Sequence, residues 1–316
     1  MRPYRFGAMT YWANIPPKNW IKTVQHIEEL GYSTVFQADH FGTKDYDPIV
    51  LLSTAASVTK KLKVGTLVFD VDYRHPVILA KTAAALHLLS GGRFEFGIGA
   101  GWEAIDYQMS GIPFDKPNDR IKRLNEALTI IRSLWTQEKT TFQGRFYNLS
   151  EMVNAGELPE GEHPKIMVGG GGKYLLTVAG RHADIVCIHW RLRGGRFSGD
   201  STTDTTLSRV KERIGWVEES ARKAGRDLEE IEYQMLFPHP QITDNPEPIL
   251  EGIAKAYDIS VDAVKACPQW LIGSSDDIID KVRMIREETG INYMVFGPQN
   301  AESFDKFAYE VMKHLT

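Results

Sequence analysis

The chain has 316 residues, 42% of them apolar and 25% charged, and a formal net charge of -4. That is enough to bury a large core, and no basic stripe of the kind that binds nucleic acid stands out. There is no run of about 18 apolar residues to span a membrane, and the first residues, MRPYRFGAMTYW, lack the apolar core of a signal peptide, so a cytoplasmic protein is expected.

Short apolar runs alternate with longer stretches of helical period, which argues for βαβ units and a parallel sheet. The first strand is expected over Arg5–Tyr11 and the first helix over Asn19–Leu30, with Ile21, Val24, Ile27 and Leu30 on one face and Gly31 ending it. Ser33–Asp39 reads as the second strand and Pro48–Thr59 as its helix. Lys63–Asp70 is the third strand, and its helix, Pro76–Leu89, opens on a proline in the first turn. Arg93–Gly99 is the fourth strand, followed after a long connection by helix Asp119–Trp135. Thr140–Leu149, with a Gln-Gly turn, reads as a small hairpin. Lys165–Gly169 is the fifth strand with helix Lys173–His182, and Asp184–His189 is the sixth strand. The polar stretch Arg191–Thr206 is rich in Gly, Ser, Thr and Asp and is expected to be a mobile loop. Helix Leu207–Ala224 leads to the seventh strand, Ile231–Phe237, and Glu247–Ala266 is an extra helical insertion. Asp276–Glu288, strand Asn292–Phe296 and helix Ser303–Leu315 complete the pattern. Cys187 and Cys267 are too few for a disulfide framework and read as small buried hydrophobes.

Eight strands and eight principal helices with right-handed crossovers close into a single (β/α)8 barrel spanning 1–316. The rival, an open doubly wound sheet, calls for a Gly-x-Gly-x-x-Gly turn after the first strand. TYWANIPP stands there and holds no glycine.

Active sites of such barrels form where the strands end. Those ends carry Tyr11 and Trp12, Asp39 and His40, Phe69 and Asp70, then Gly99-Ala100-Gly101-Trp102. Further on come Gly169-Gly170-Gly171-Gly172, His189 and Trp190, Phe237-Pro238-His239, and Gly297. Four glycines running into a helix combine close backbone approach with free N–H groups, which makes a phosphate cradle; a merely flexible loop is the plainer alternative. His40 is the acid–base candidate, because histidine changes protonation near neutral pH, and Asp39 beside it need not touch it. Arg74 and His75 serve either an anionic ligand or the loop itself. Arg191, Arg193 and Arg196 read as a solvated face or as a ligand clamp. No His-x-x-x-His pair or carboxylate cluster suggests a metal, and no Gly-x-Ser-x-Gly elbow suggests a hydrolase.

The segments RHPVILAKTAAALHLLSGGRFEFGIGAGW, ADHF, IPF, VGGGGKYLLTVAGRHADIV and LIGSSDDIIDKVRMIREETGINYMVF are together similar to bacterial luciferase-like monooxygenases, and most like the branch that uses the deazaflavin coenzyme F420. The resemblance implies a ring-type cofactor at the barrel mouth, a non-proline cis peptide or bulge at Leu67-Val68, and ring contacts from Asp39 and Asp70. It places Ala100, Gly101 and Trp102 beside the cofactor side chain, Gly170, Gly171 and Gly172 at its phosphate, and His40 as the acid–base partner. A homodimer is implied as well. Trp102 stands where sugar-phosphate dehydrogenases of the family have a glutamate, with Glu103 shifted by one, which argues against a sugar-phosphate substrate. Asp70 replaces a hydroxyl residue of some relatives.

The expected function is hydride transfer between F420 and a small organic substrate, with Trp12, Trp102, Trp190 and Phe237 as apolar walls and the 191–206 loop as a lid. An FMN-dependent monooxygenase using reduced flavin and oxygen is the alternative. A binding protein on a decayed barrel is the third reading; a missing strand or a lost glycine cradle would mark it.

Overall fold

The computed structural model describes residues 2–42, 46–153, 158–159 and 161–315. Its centre is a closed ring of eight parallel strands: Arg5–Met9, Thr34–Gln37, a third in two pieces (Lys63–Thr66 and Phe69–Asp70), Phe94–Gly99, Lys165–Gly170, Ile185–Ile188, Glu232–Pro238 and Tyr293–Gly297. The first strand pairs with the eighth and the third with the fourth, so no edge is left open. The principal helices α1 (Trp20–Glu29), α2 (Pro48–Val58) and α3 (Pro76–Leu89) follow the first three strands. The connection after the fourth strand holds a short helix, α4 (Ala104–Ser110), before α5 (Pro117–Thr136). Next come α6 (Lys173–His182), α7 (Gly199–Thr203) and α8 (Leu207–Lys223). The insertion folds as α9 (Glu247–Tyr257) and α10 (Val261–Ala266), and α11 (Ser275–Thr289) and α12 (Glu302–Glu310) close the chain.

Most expected elements stand within a residue or two of their sequence bounds. The last helix is an exception, ending at Glu310 before a 3-10 turn at Met312–His314; the first strand ends at Met9, and Tyr11–Ala13 turns into a 3-10 helix that places Tyr11 and Trp12 at the mouth. On α1 the buried side chains are Trp20, Val24 and Ile27, so Trp20 rather than the exposed Ile21 completes the inner face. The third strand is broken by a cis peptide at Leu67-Val68, as the resemblance implied. Its pairing with the fourth strand changes register there, from Gly65 opposite Glu95 to Phe69 opposite Ile98, which leaves one extra residue on the third strand.

Within the 191–206 segment a short helix, α7, stands after an irregular stretch. Ser198 and Ser201 form a capping box on α7, and Ser201, Thr202 and Thr205 are buried. The three buried hydroxyls each find a partner: Ser201 reaches the Arg191 carbonyl, Thr205 the Ser201 carbonyl, and Thr202 accepts from the Trp270 indole. The Arg213 guanidinium, fully buried on α8, donates to the backbone and carboxylate of Asp204 and fixes the segment's far end.

Two apolar layers follow from strand alternation. Inward-facing Met9, Phe36, Met167, Cys187, Leu236 and Val295 fill the barrel, and a larger cluster including Val35, Ile98, Val168, Phe237 and Phe296 seals it to the helices. The N-terminal end of the barrel is closed by charge. Arg5 reaches both Glu95 and Glu232 and lies 3.9 Å over the Tyr293 ring, while the Tyr293 hydroxyl donates to Glu95 at 2.8 Å. Glu95 is fully buried yet ionised, because Arg5 and Lys63 hold its carboxyl below the usual range against the cost of burial. Among the described residues, no helix is long and apolar enough to cross a membrane.

Arg5→Ala leaves two buried carboxylates short of a partner and is expected to destabilise the fold by about 3–5 kcal/mol, read as a shift of the denaturant midpoint. A shift within about 0.5 kcal/mol would mean that Lys63 and water carry the charge of Glu95.

Candidate active site

One large cavity, about 770 Å³, opens at the C-terminal ends of the barrel strands. It gathers side chains that lie far apart in the chain. Trp12 comes from the first strand end, Asp39 and His40 from the second, Leu67, Val68 and Asp70 from the third, and Ala100, Gly101 and Trp102 from the fourth. Gly169, Gly170, Gly171 and Gly172 from the fifth and Trp190 from the sixth complete the ring. Phe237 is placed elsewhere. On the seventh strand the alternation turns Leu236 into the cavity and Phe237 outward, 5.9 Å from the Phe296 ring, so Leu236 takes the wall position expected of Phe237.

The glycine run ends as the N-cap of α6. The first-turn amides of a helix lack intrahelical acceptors, and no side chain caps them here. A side chain at Gly171 would run into the backbone of His189–Arg191, the nearest atom at 2.5 Å, whereas at Gly172 it would meet open space. The helix start therefore faces an unfilled part of the cavity. Arg191 and Arg193 line the same side and are exposed.

His40 lines the same cavity. The Nδ1–H of His40 donates to the buried carboxylate of Asp106 at 2.6 Å, which leaves the other ring nitrogen for the cavity. The Phe41 amide and the Tyr73 hydroxyl also donate to Asp106, at 3.2 and 3.4 Å. Tyr11 and Trp102 flank the imidazole with ring centroids at 5.2 and 5.8 Å. The orienting carboxylate is thus Asp106 on α4 and not the neighbouring Asp39. Sequence reasoning missed it because α4 lay inside a connection read as irregular; an acid in the first turn of a short amphipathic stretch was the available signal.

Asp39 is paired with the Arg74 guanidinium, which also holds Asp47 at 2.9 Å, so Arg74 serves the loop and is not free for a ligand. Burial pushes the Asp39 carboxyl up, and Arg74 pulls it partly back. His75 caps α3 through the Val77 amide. Asp70 is buried and its carboxyl is pushed up to about 7, chiefly by burial. Glu103, on the wall beside His40, is likewise raised by burial. His189 is pushed down to about 4 by burial and accepts from the Gln269 amide at 2.7 Å, so it is a neutral wall group. Gly101 has φ +70, and a Cβ there would fall 1.8 Å from the Tyr107 hydroxyl and 2.3 Å from Asp70, so only glycine fits.

The 191–206 segment covers part of the mouth. The Ala104 amide reaches the Gly195 carbonyl at 3.4 Å, linking it to the fourth strand's loop. Phe197 locks it from behind, with ring centroids 4.4 Å from Trp190 and 4.8 Å from Tyr257. Leu192, Phe197, Trp190 and Trp270 form a satellite cluster with α9 and α10, so the helical insertion serves as the buttress of this cover. Among the described residues, no group of three or more His, Cys, Asp or Glu side chains is arranged to hold a metal.

Residues 1–267 match the sequence model of the luciferase-like monooxygenases. The chain is 25% identical over 329 residues to an F420-dependent glucose-6-phosphate dehydrogenase of Amycolatopsis mediterranei, covering 95% of each protein. A protein of the same description from Kribbella flavida is 30% identical over 256 residues, covering 78% of this chain and 72% of that one. Among solved structures, an F420-dependent secondary alcohol dehydrogenase in complex with an F420-acetone adduct shares the fold with a TM-score of 0.80 at 20% identity, over 100% of this chain and 98% of that one.

Since Phe197 is the anchor of the cover, limited proteolysis is expected to spare 191–206 in the native protein. Phe197→Ala should expose it to cleavage several-fold faster while the barrel stays folded; equal cleavage rates would show that the anchor lies elsewhere.

Proposed function

The chain belongs to the luciferase-like monooxygenase family, and from that premise we propose that it is an oxidoreductase using the deazaflavin coenzyme F420 to exchange a hydride with a small organic substrate. The observation that carries this reading is the meeting, in one cavity, of an open glycine-lined helix start and a histidine oriented by a buried carboxylate. The relatives matched over most of their length are named as F420-dependent dehydrogenases. All eight strands and the glycine cradle are intact, which speaks against a decayed scaffold.

The residues present fit such a cofactor. Gly170, Gly171, Gly172 and the start of α6 would hold its phosphate by backbone N–H groups and the helix dipole. Leu67, Val68, Ala100 and Gly101 offer a flat surface for the ring system, with Asp39 and Asp70 at a polar edge. When bound, the deazaflavin supplies a hydride donor or acceptor carbon. His40 holds or takes the substrate proton at the ring nitrogen turned toward the cavity, and Asp106 fixes the tautomer that makes this possible. Trp12, Trp102 and Trp190 exclude water from the reacting end and favour a substrate with an apolar face. A sugar phosphate is a poorer match, because Trp102 stands where the sugar-phosphate enzymes have a glutamate.

Titrating the purified protein with F420 and with FMN, read by cofactor or protein fluorescence, is expected to give submicromolar F420 binding and weak FMN binding; the reverse order would replace this reading with the flavin monooxygenase. His40→Ala should lower turnover by about a hundredfold or more while F420 affinity stays close to that of the parent. Unchanged turnover would remove His40 from the chemistry. Gly172→Asp introduces a good helix N-cap into open space, so the melting temperature should hold or rise. Its charge should weaken F420 binding about tenfold or more, and unchanged affinity would put the phosphate elsewhere.

A further inference from the structure

Three buried aspartates crowd the third strand's exit, but only two guanidinium groups neutralise them. Asp39 has Arg74, and Asp72 has Arg123, which bridges to Asp115 on the rim. Asp70 lies between them: its amide donates to Asp39 at 3.2 Å, and its own Oδ1 accepts the Asp72 amide at 2.9 Å. Among the described residues, no cation pairs with Asp70. Arg120 lies 5.9 Å from the Tyr107 ring and spends its donors on the carbonyls of Ala100, Gly101 and Asp115. The other titratable groups around Asp70 are acids, phenols or already paired: Asp106 with His40, Tyr73 bonded to Asp106, and Tyr147.

The Tyr107 hydroxyl supplies the decisive count. It lies 2.7 Å from Asp70 Oδ2 and 2.9 Å from Asp72 Oδ2, and it has one hydrogen. With both carboxylates ionised, one of these short oxygen–oxygen contacts would lack a proton and would be repulsive. With a proton on Asp70, both are made: Asp70 donates to Tyr107, and Tyr107 donates to Asp72, whose other oxygen keeps Arg123. Burial among like charges acts in the same direction.

We propose that Asp70 stands as a neutral carboxylic acid near neutral pH and is a second proton donor of the cavity, with the Tyr107 hydroxyl as the rotor that turns to donate to the carboxylate left behind. In the step, the Oδ2–H bond of Asp70 breaks and the proton passes to an oxygen or nitrogen acceptor on the edge of a bound conjugated ring. The Tyr107 O–H turns from Asp72 to Asp70, and Asp72 retains Arg123. No electrons are exchanged. A ligand edge that is electron-rich or anionic is welcomed by the neutral acid and would be repelled by a carboxylate. The donor role rests on the cavity being the cofactor site; the protonation state of Asp70 does not.

The test begins on the protein without cofactor. Infrared spectra in D2O are expected to show the carbonyl stretch of a protonated carboxylic acid at pH 6, fading with a midpoint near 7. The band should vanish in Asp70→Asn and survive to higher pH in Tyr107→Phe, which cannot stabilise the carboxylate. No such band, or the same band in Asp70→Asn, overturns the proposal. Asp70→Asn is expected to fold. An acid whose folded pKa is raised from 3.8 to about 7 loses stability as the pH climbs through that window, and the amide removes that loss. In the second arm, F420 affinity of the parent should fall by up to about tenfold per pH unit above neutrality relative to Asp70→Asn, which shares any titration of the ligand itself. A constant ratio overturns the donor role. Failure to bind F420 at any pH overturns the proposed cofactor instead, and the infrared band still decides the state of Asp70.

Discussion

The mouth of this barrel depends on the pairing of the third strand with the fourth. That pairing closes the cylinder, and its one-residue slip at Leu67-Val68 is what turns the end of the third strand inward. Without the slip, strand alternation would carry the following residues onto the opposite faces. With it, Asp70 pairs beside Gly99, and the Gly101 backbone packs onto the Asp70–Tyr107 contact. The same closure brings the glycine cradle, three strands further round from His40, to the same cavity.

Charge is distributed unequally between the two ends of the barrel. At the N-terminal end Arg5 and Lys63 hold Glu95 ionised, and Arg5 also reaches Glu232, so the plug is structural and inert. At the C-terminal end carboxylates outnumber the guanidinium groups that reach them. Arg74 and Arg123 are each shared between an inner and a rim aspartate, Asp106 is left for His40, and Asp70 has none. A buried acid without a cation keeps its proton, and an acid beside an imidazole orients it. The two ends thus use the same residue types for opposite purposes, and the supply of cations decides which.

The cover over the cavity shows how an insertion far from the chemistry takes part in it. Helices α9 and α10 contribute no residue to the cavity lining, but they provide Tyr257 and the apolar floor on which Phe197 and Trp190 lock. The 191–206 segment is held by that lock, by the α7 capping box and by Arg213.

The sequence by itself determined the eight-fold alternation of strands and helices, and with it the barrel and the list of residues at its mouth. Periodicity and glycine or proline punctuation are local properties, and each βα unit obeys them independently. His40, Asp70, the glycine run and the aromatic walls Trp12 and Trp190 were legible because they stand at strand ends. Phe237 was misread because a strand end does not say which of two neighbours faces inward; the shear of the closed barrel settles that and chooses Leu236. The composition of Arg191–Thr206 did not reveal that Ser201, Thr202 and Thr205 are buried, because buried hydroxyls and solvated hydroxyls are spelled alike. Only the tertiary structure decided that Asp106 rather than Asp39 orients His40, that Arg74 and Arg123 are taken while Asp70 goes without, and that Tyr107 bridges two carboxylates. The contacts that decide them join residues at least 35 positions apart, with no local signature, made when the strands close and the charges must find partners out of water.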